Sequence, residues 1–389
     1  MRVAIVGGSL GGLTAACLLA DDGHDVAIYE RSPVPLEERG AGIGFLPMTS
    51  RYLSERASVD LDTISVVTNN IRHLHRDGSV AHESAHRYLF SSWNTVYREM
   101  ARRFDPDRYF LGHDLTRLDT ATTCIGFANG TVVKPDLVVC ADGVGSFARS
   151  VLHPRVAPTY SGYVAWRGVV PETELTAETM AVLDNAITYY VYANSHILLY
   201  PIPGRDGSVA PGERLINIVW YRNYNDGDDL ADLLHDHRGV DRDVSMPPGS
   251  LRDQHVREAQ AVAAARLPAP IAEVVHAIPE LFIQVVLDLA VDRMAFGRTC
   301  ILGDAAFLVR PHAAAGTAKA AADAWALRDA LAKHPHDVAA ALSMWEPAQL
   351  QLGRSLLERT RSIGRRSQFD NSWRPGDPDL IFGLYAPGN

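Results

Sequence analysis

The stretch "VAIVGGSLGG", Val3 to Gly12, decides the fold. An apolar run breaks into glycines and resumes as "LTAACLLA", which reads as a buried strand, a tight turn and a helix. Such a turn holds a dinucleotide when glycines fill the G-x-G-x-x-G places. The first turns the chain, the second admits a pyrophosphate to the backbone, and the third lets the helix pack on the strand. Gly7 and Gly12 hold the outer places and Ser9 the middle one. Serine is the smallest replacement that keeps a hydrogen-bonding group, so the loop tolerates it with a slightly looser approach.

Outward from the turn, Asp25 to Tyr29 is a second strand that completes a βαβ unit. Glu30 ends it, where a carboxylate accepts hydrogen bonds from both hydroxyls of an adenosine ribose. An acid there disfavours a ribose 2'-phosphate, so the tightly held nucleotide is expected to be FAD or NAD(H), not NADP(H). Arg2 and the apolar residues behind it also have the outline of a secretory leader. The glycines inside that stretch break an apolar leader core, and strand, turn and helix account for more of its residues.

Two later stretches repeat the pattern of a buried strand delivering a carboxylate beside a glycine. They are "LVVCADGVGSFAR" with Asp142 and "CILGDAAFLVRPHAAAGTAKAAADAWAL" with Asp304. In open α/β sheets ligands collect at such carboxyl ends. After Pro311 a helix starts near Ala314 to Thr317, and its free N–H groups and positive dipole end suit an anion. Asn129-Gly130 joins Thr123–Phe127 to Thr131–Val133 and reads as a hairpin with a primed turn.

The middle of the chain changes character. Gly162 to Val170, Ile187 to Ile202 and Leu215 to Tyr221 are rich in Tyr, Val, Ile and Trp, as strands of a mostly antiparallel sheet are. A long helix from Asp337 to about Ile363 follows the alanine-rich one, and Ser367 to Asn389 reads as a surface wrap. The fold class is therefore α/β, α+β overall: a Rossmann-like domain, FAD-binding if the nucleotide is FAD and not NAD(H), with an inserted, mostly antiparallel β-sheet domain expected to take the substrate. The expected division gives residues 1–70, 96–160 and 285–365 to the first, 71–95 and 161–284 to the second, and 366–389 to a tail.

Composition excludes other classes. The chain has 389 residues, 47% hydrophobic and 21% charged, with a net charge of -9 that leaves no basic face for nucleic acid. Cys17, Cys124, Cys140 and Cys300 are scattered without a C-x-x-C pair or a histidine cluster, which fits a reducing, cytoplasmic setting and argues against a structural metal. No apolar run reaches the length of about 18 residues that a membrane span needs. One dinucleotide fingerprint occurs, so if a flavin fills it, a nicotinamide must visit without a Rossmann unit of its own.

The order Gly7 to Gly12, Glu30-Arg31, Gly40-Ala41-Gly42-Ile43, Arg98, Asp142-Gly143, Gly303-Asp304 and Pro311 to Gly316 resembles the single-component FAD-dependent aromatic hydroxylases of the para-hydroxybenzoate hydroxylase type, from residue 1 to about 365. "GYVAWRGVV", "YPIPGR", "DRMAFGR" and "RPHAAAGTAKAAADA" are similar, within that family, to hydroxylases of dihydroxypyridines.

The resemblance implies tightly bound, non-covalent FAD, with NADH or NADPH as a transient reductant and O2 as co-substrate. It implies a flavin hydroperoxide that hydroxylates an electron-rich ring, for which 2,6-dihydroxypyridine is the leading expectation, and a homodimer. It places Ser9 and Leu10 along the pyrophosphate, Glu30 and Arg31 by the ribose, and Leu115 near the adenine. Gly42, Ile43 and Arg98 join the FAD contacts, Arg98 at the flavin chain or pyrophosphate. Asp304 would hold the ribityl and phosphate portion, and Ala314, Ala315, Gly316 and Thr317 would line the flavin ring. Asp142 would serve both FAD and the docking of NAD(P)H. At Phe307 the chain departs from a histidine common in the family.

Substrate-side candidates are His312, the Pro311 carbonyl and Tyr200, with Trp166, Trp220 and Gln284 as walls. His312 as an ordinary polar contact and Tyr200 as a sheet-core tyrosine stay open. So do an FAD dehydrogenase or oxidase on the same scaffold, a phenolic or purine substrate, and a nucleotide-sensing βαβ protein.

Overall fold

The computed structural model describes residues 1–37 and 41–389. Gly40 of the "GAGI" motif lies outside the described residues. The opening reads as expected, with strand Arg2–Val6, helix Leu10–Asp21 and strand Asp25–Tyr29. Strand Arg2–Val6 sits in the middle of a six-stranded sheet, between Asp25–Tyr29 on one side and Leu137–Cys140 on the other. Thr299–Ile301 continues the parallel pairing beyond Leu137–Cys140. Apolar residues on both faces bury this sheet against helices Leu10–Asp21 and Gly316–Lys333. Strand order reverses around Arg2–Val6, and that switch opens a crevice at the carboxyl ends of the strands.

The second sheet has ten strands and is mostly antiparallel, the exception being Ala186–Tyr192 beside Val66–Leu74. One face packs on helices Asp253–Arg266 and Ala269–Ala277, and the other faces helix Val338–Gln368 and the start of helix Gly316–Lys333. Strands Gly42–Gly44, Val66–Leu74 and Phe282–Ala290 all belong to this sheet, so the expected boundaries at 70 and 285 fall inside strands. The chain crosses between the sheets more often than composition indicates.

Two local expectations change. The Asn129-Gly130 turn is not primed: only Gly130 takes positive φ, at +86°, while the Asn129 side chain accepts the Thr131 N–H at 3.0 Å. That side-chain bond supports ordinary φ at Asn129. The tail is not a surface wrap either. Trp373, Phe382 and Leu384 are buried, and Arg359 donates to the carbonyls of Gly383 and Ile381 at 2.9 and 2.7 Å. The aromatic residues interspersed among its prolines anchor it into the core between the second sheet and the long helix.

Candidate active site

The first turn is shaped by what surrounds it. Gly7 takes φ +99°, and side chains at Gly7, Gly8 and Gly12 would collide with the Ala141 carbonyl, the Tyr109 hydroxyl and the Gly7 carbonyl in turn. Ser9 precedes helix Leu10–Asp21, and its hydroxyl makes no capping bond to that helix. The buried Glu30 carboxylate accepts the Gly8 N–H through Oε2 and the Ser32 N–H through Oε1, each at 2.8 Å. The acid expected to face a ribose fixes the loop. The sequence reading did not see this, because the link closes only when Glu30 folds back on the turn.

Two adjoining cavities open at the switch point. The longer one, of ≈ 670 Å³, runs past Gly7, Ser9, Glu30, Arg31, Leu115, Asp142, Asp304 and Pro311. The second, of ≈ 390 Å³, is walled by Ser9, Leu10, Gly42, Ile43, Tyr200 and His312 and by the corner Ala314 to Thr317. Ser9, Trp93, Gln284, Asp304 and Pro311 line both, so a single extended ligand passes from one to the other. Gly12 and Arg98 line neither cavity. Gly12 packs the helix, whereas Arg98 pairs with Glu37 at 3.3 Å and donates to the Arg205 carbonyl at 3.2 Å.

The carboxylates differ in how they are held. Asp142 accepts from the Ser146 hydroxyl at 2.6 Å and the Ala148 N–H at 3.0 Å. Burial raises its pKa against those bonds. Asp304 is open to the cavity, yet protein surrounds it, and burial raises its pKa too, opposed by Lys319 and Arg149. No described residue donates a hydrogen bond to it. It is placed to accept ligand hydroxyls.

Behind Asp304, buried Lys319 and Asp323 pair at 2.5 Å, and Asp323 also accepts the Gly303 N–H at 3.0 Å. This ties the corner to helix Gly316–Lys333. Ala314 sits in the left-handed region at φ +52°, and Ala315 leads into a helix whose first N–H groups receive no side-chain cap. Phe307 is fully buried and lies under the Lys319 ammonium, 4.7 Å from its ring centroid. That is what the departure from histidine supplies: an apolar bed and a cation–π contact for a buried lysine.

The second cavity is aromatic. Phe90 stacks on Tyr200 at 4.1 Å, and His196 lies 4.5 Å from both Tyr221 and Trp373. Burial pushes His196 down to about 3 and His312 well below the ordinary value, so both rings are neutral. Tyr200 reaches the cavity wall, as does Gln284. Pro311 also lines it, although its carbonyl already accepts the Ala314 N–H at 3.0 Å.

Trp166 and Trp220 are not walls. They point to the opposite face of the sheet, into the core under helices Asp253–Arg266 and Ala269–Ala277. Strand side chains alternate faces, so their neighbours Ala165, Arg167, Val219 and Tyr221 line the cavity instead. Large aromatics drew the sequence reading to the wrong face by one residue. His196, Tyr189, Trp373 and Phe382 were missed; the alternation through Leu198 and Tyr200 could have found His196, but nothing local marks the tail residues.

The residues present fit a flavin dinucleotide. The glycine cradle has no room for side chains, Glu30 lines the first cavity beside it, Asp304 receives no hydrogen bond from a described residue, and the uncapped helix start borders the aromatic second cavity.

Comparison with known proteins agrees. A family model described as FAD binding domain-like matches residues 160–288, and one described as an NAD(P)-binding Rossmann-like domain matches residues 5–35. The 2,6-dihydroxypyridine 3-monooxygenase of Paenarthrobacter nicotinovorans is 38% identical over 98% of this chain and 96% of its own. A 6-hydroxynicotinate 3-monooxygenase of Pseudomonas fluorescens is 26% identical over 98% of this chain and 94% of its own. The solved structure of 2,6-dihydroxypyridine-3-hydroxylase from Arthrobacter nicotinovorans superposes with a TM-score of 0.93 at 36% identity, covering 100% of this chain and 98% of that one.

Proposed function

The chain belongs to the FAD-dependent aromatic monooxygenases, and from that premise we propose that it hydroxylates a hydroxylated pyridine, 2,6-dihydroxypyridine being the leading candidate. Bound FAD, reduced by NAD(P)H, supplies activated O2 as one oxygen atom for the ring. The balance is ring–H, NAD(P)H, H+ and O2 giving ring–OH, NAD(P)+ and water.

This chain's residues would hold and enclose the reactants. Gly7, Ser9, Glu30, Arg31, Leu115, Asp142 and Asp304 would take the dinucleotide portion; Gly42, Ile43 and Ala314 to Thr317 would flank the ring system. Tyr200, Pro311 and His312 would stand against the substrate, while Trp373 and Phe382 exclude water behind it. Desolvation of this kind protects reactive oxygen species from discharge into solvent.

The observation that carries the substrate reading is the charge of the second cavity. Among the described residues Arg167 is the only cation on its wall; it donates to two neutral acceptors, Gln284 Oε1 at 2.9 Å and the Gly42 carbonyl at 2.7 Å, and its buried Nε has no partner. The histidines are neutral. A flat ring bearing oxo or ionised hydroxyl oxygens suits aromatic walls that carry one cation with a donor to spare.

A panel of hydroxypyridines, phenols and purines tests this by NAD(P)H oxidation and product mass. A hydroxypyridine that speeds oxidation and gains one oxygen supports the reading. Substrate turnover without oxygen insertion would make the protein a dehydrogenase or oxidase, and a colourless preparation would remove the flavin. The reading also includes a cytoplasmic homodimer, supported by the family resemblance and by unpaired thiols at Cys17, Cys124, Cys140 and Cys300; sedimentation of the loaded protein tests the dimer.

A further inference from the structure

His312 sits at the end of a buried chain of hydrogen bonds that begins at Asp288. The Asp288 carboxylate accepts Arg310 Nε at 2.8 Å and Nη2 at 2.7 Å, and Arg361 Nε at 2.9 Å. This fork fixes the Arg310 guanidinium, whose Nη1 lies 3.2 Å from the Tyr163 hydroxyl. The hydroxyl in turn lies 2.7 Å from His312 Nε2.

The direction of these bonds follows from chemistry. A guanidinium has only donors, so Tyr163 accepts from Arg310. Tyr163 is fully buried, and burial raises its pKa, so the phenol keeps its proton. Among the described residues the hydroxyl has no acceptor other than His312 Nε2. The phenolic proton therefore points at Nε2, which must present its lone pair. Neutral imidazole carries one proton, and it is then on Nδ1. Nδ1 is buried and has no partner.

Helix Val338–Gln368 is cut to admit this junction. A side chain at Gly364 would strike the Tyr163 hydroxyl and lie 2.8 Å from His312 Nε2 and 3.1 Å from Arg310 Nη1. The three polar ends meet against bare backbone.

We propose that Tyr163, held by Arg310, locks His312 in the tautomer protonated on Nδ1, so that His312 donates a hydrogen bond to an acceptor atom of the ring substrate and does not serve as the base that ionises it. The acceptor is an oxo or deprotonated hydroxyl oxygen, or an unprotonated ring nitrogen. Tyr163 and Arg310 are positioning residues, acting through His312. The identity of the ligand as a ring substrate rests on the hydroxypyridine reading; the tautomer does not.

The test uses flavin-loaded protein with 15N-labelled histidine. The His312 signal, assigned by its loss in His312→Asn, is expected to show a protonated Nδ1 and a bare Nε2, and to lose that pattern in Tyr163→Phe. A protonated Nε2 in the unaltered protein overturns the proposal.

Binding of 2,6-dihydroxypyridine, read from the flavin absorbance, supplies a second measure. Asparagine places an amide near the Nδ1 position and glutamine does not, so His312→Asn should bind within about threefold of the unaltered protein while His312→Gln and Tyr163→Phe weaken by about tenfold. Equal binding by all of them overturns the donor role. If the loaded protein binds phenols or purines and no hydroxypyridine, the substrate reading fails, and the nitrogen spectrum still decides the tautomer.

Discussion

The Glu30 carboxylate reaches back across 22 residues to accept the Gly8 N–H at 2.8 Å, so one side chain ends a strand, ties the glycine turn and faces the nucleotide cleft. Its other oxygen holds Ser32. Removing the carboxylate therefore takes an acceptor from the Gly8 and Ser32 backbone N–H groups as well as the proposed ribose contact.

Glu30→Ala is expected to lower stability before any flavin is considered, because a buried unpaired donor costs about 1–3 kcal/mol. Thermal unfolding of flavin-stripped protein checks this. Glu30→Gln, which keeps one acceptor, should melt nearer the unaltered protein yet retain less flavin after desalting. Equal melting of all three would show that Glu30 serves the ligand alone.

Ser9 precedes the helix without capping it and lines both cavities. Ser9→Gly should keep its flavin, and Ser9→Val should lose most of it, since β-branched bulk intrudes where the pyrophosphate approaches backbone. Flavin per protein after gel filtration is the measurement; retention by the valine variant would contradict the placement of the loop.

Trp373 closes the second cavity from the tail, 4.5 Å from His196 and 6.1 Å from Tyr189 between ring centroids. Truncation to alanine should cost about 3 kcal/mol of stability and raise KM for the ring substrate about tenfold. It should also lower the fraction of NAD(P)H oxidised that ends in hydroxylated product, because water gains entry. Full coupling in Trp373→Ala would mean the tail is structural only.

Histidine burial gives a pH signature. Burial takes His73 down to about 4 and His196 to about 3, and His312 well below its ordinary 6.5. A folded-state pKa lowered in this way means that the unfolded chain binds more protons below 6.5. The stabilisation is whole above that pH and is lost as pH falls toward the folded values, by about 1.4 kcal/mol per pH unit for each histidine. Asp142, Asp304 and Asp323 act the other way, since burial raises them and protonation then favours the folded state. A His196→Asn protein isolates the histidine effect. Its stability in urea should fall less steeply below pH 6.5 than that of the unaltered protein, by about 1.4 kcal/mol per pH unit. Parallel curves would refute the assignment.

The nucleotide half was legible in sequence because its signals are local. A strand, a glycine turn, a helix and an acid at the next strand end follow one another from Arg2 to Glu30, and the corners Asp142-Gly143 and Gly303-Asp304 stand at strand ends in the same way. The substrate half was less legible because it depends on facing. Trp166 and Trp220 carry the strongest aromatic signal, yet the alternation of the pleat sends them to the other face and brings Arg167 and Tyr221 to the cavity. Trp373 and Phe382 arrive from beyond the last helix, where only tertiary packing shows their use. Tyr163 lay inside a strand that was read correctly, but its bond to His312, 149 residues away, has no local trace.

The tail has a consequence for biosynthesis. Trp373 and Phe382 complete a cavity whose other walls come from Ser9, Gly42, Tyr200 and His312, so a ribosome makes that wall after every strand of both sheets. Until those residues emerge, the cavity stands open on the side they close. Translation order itself thus delays closure of this cavity until its other walls have been made.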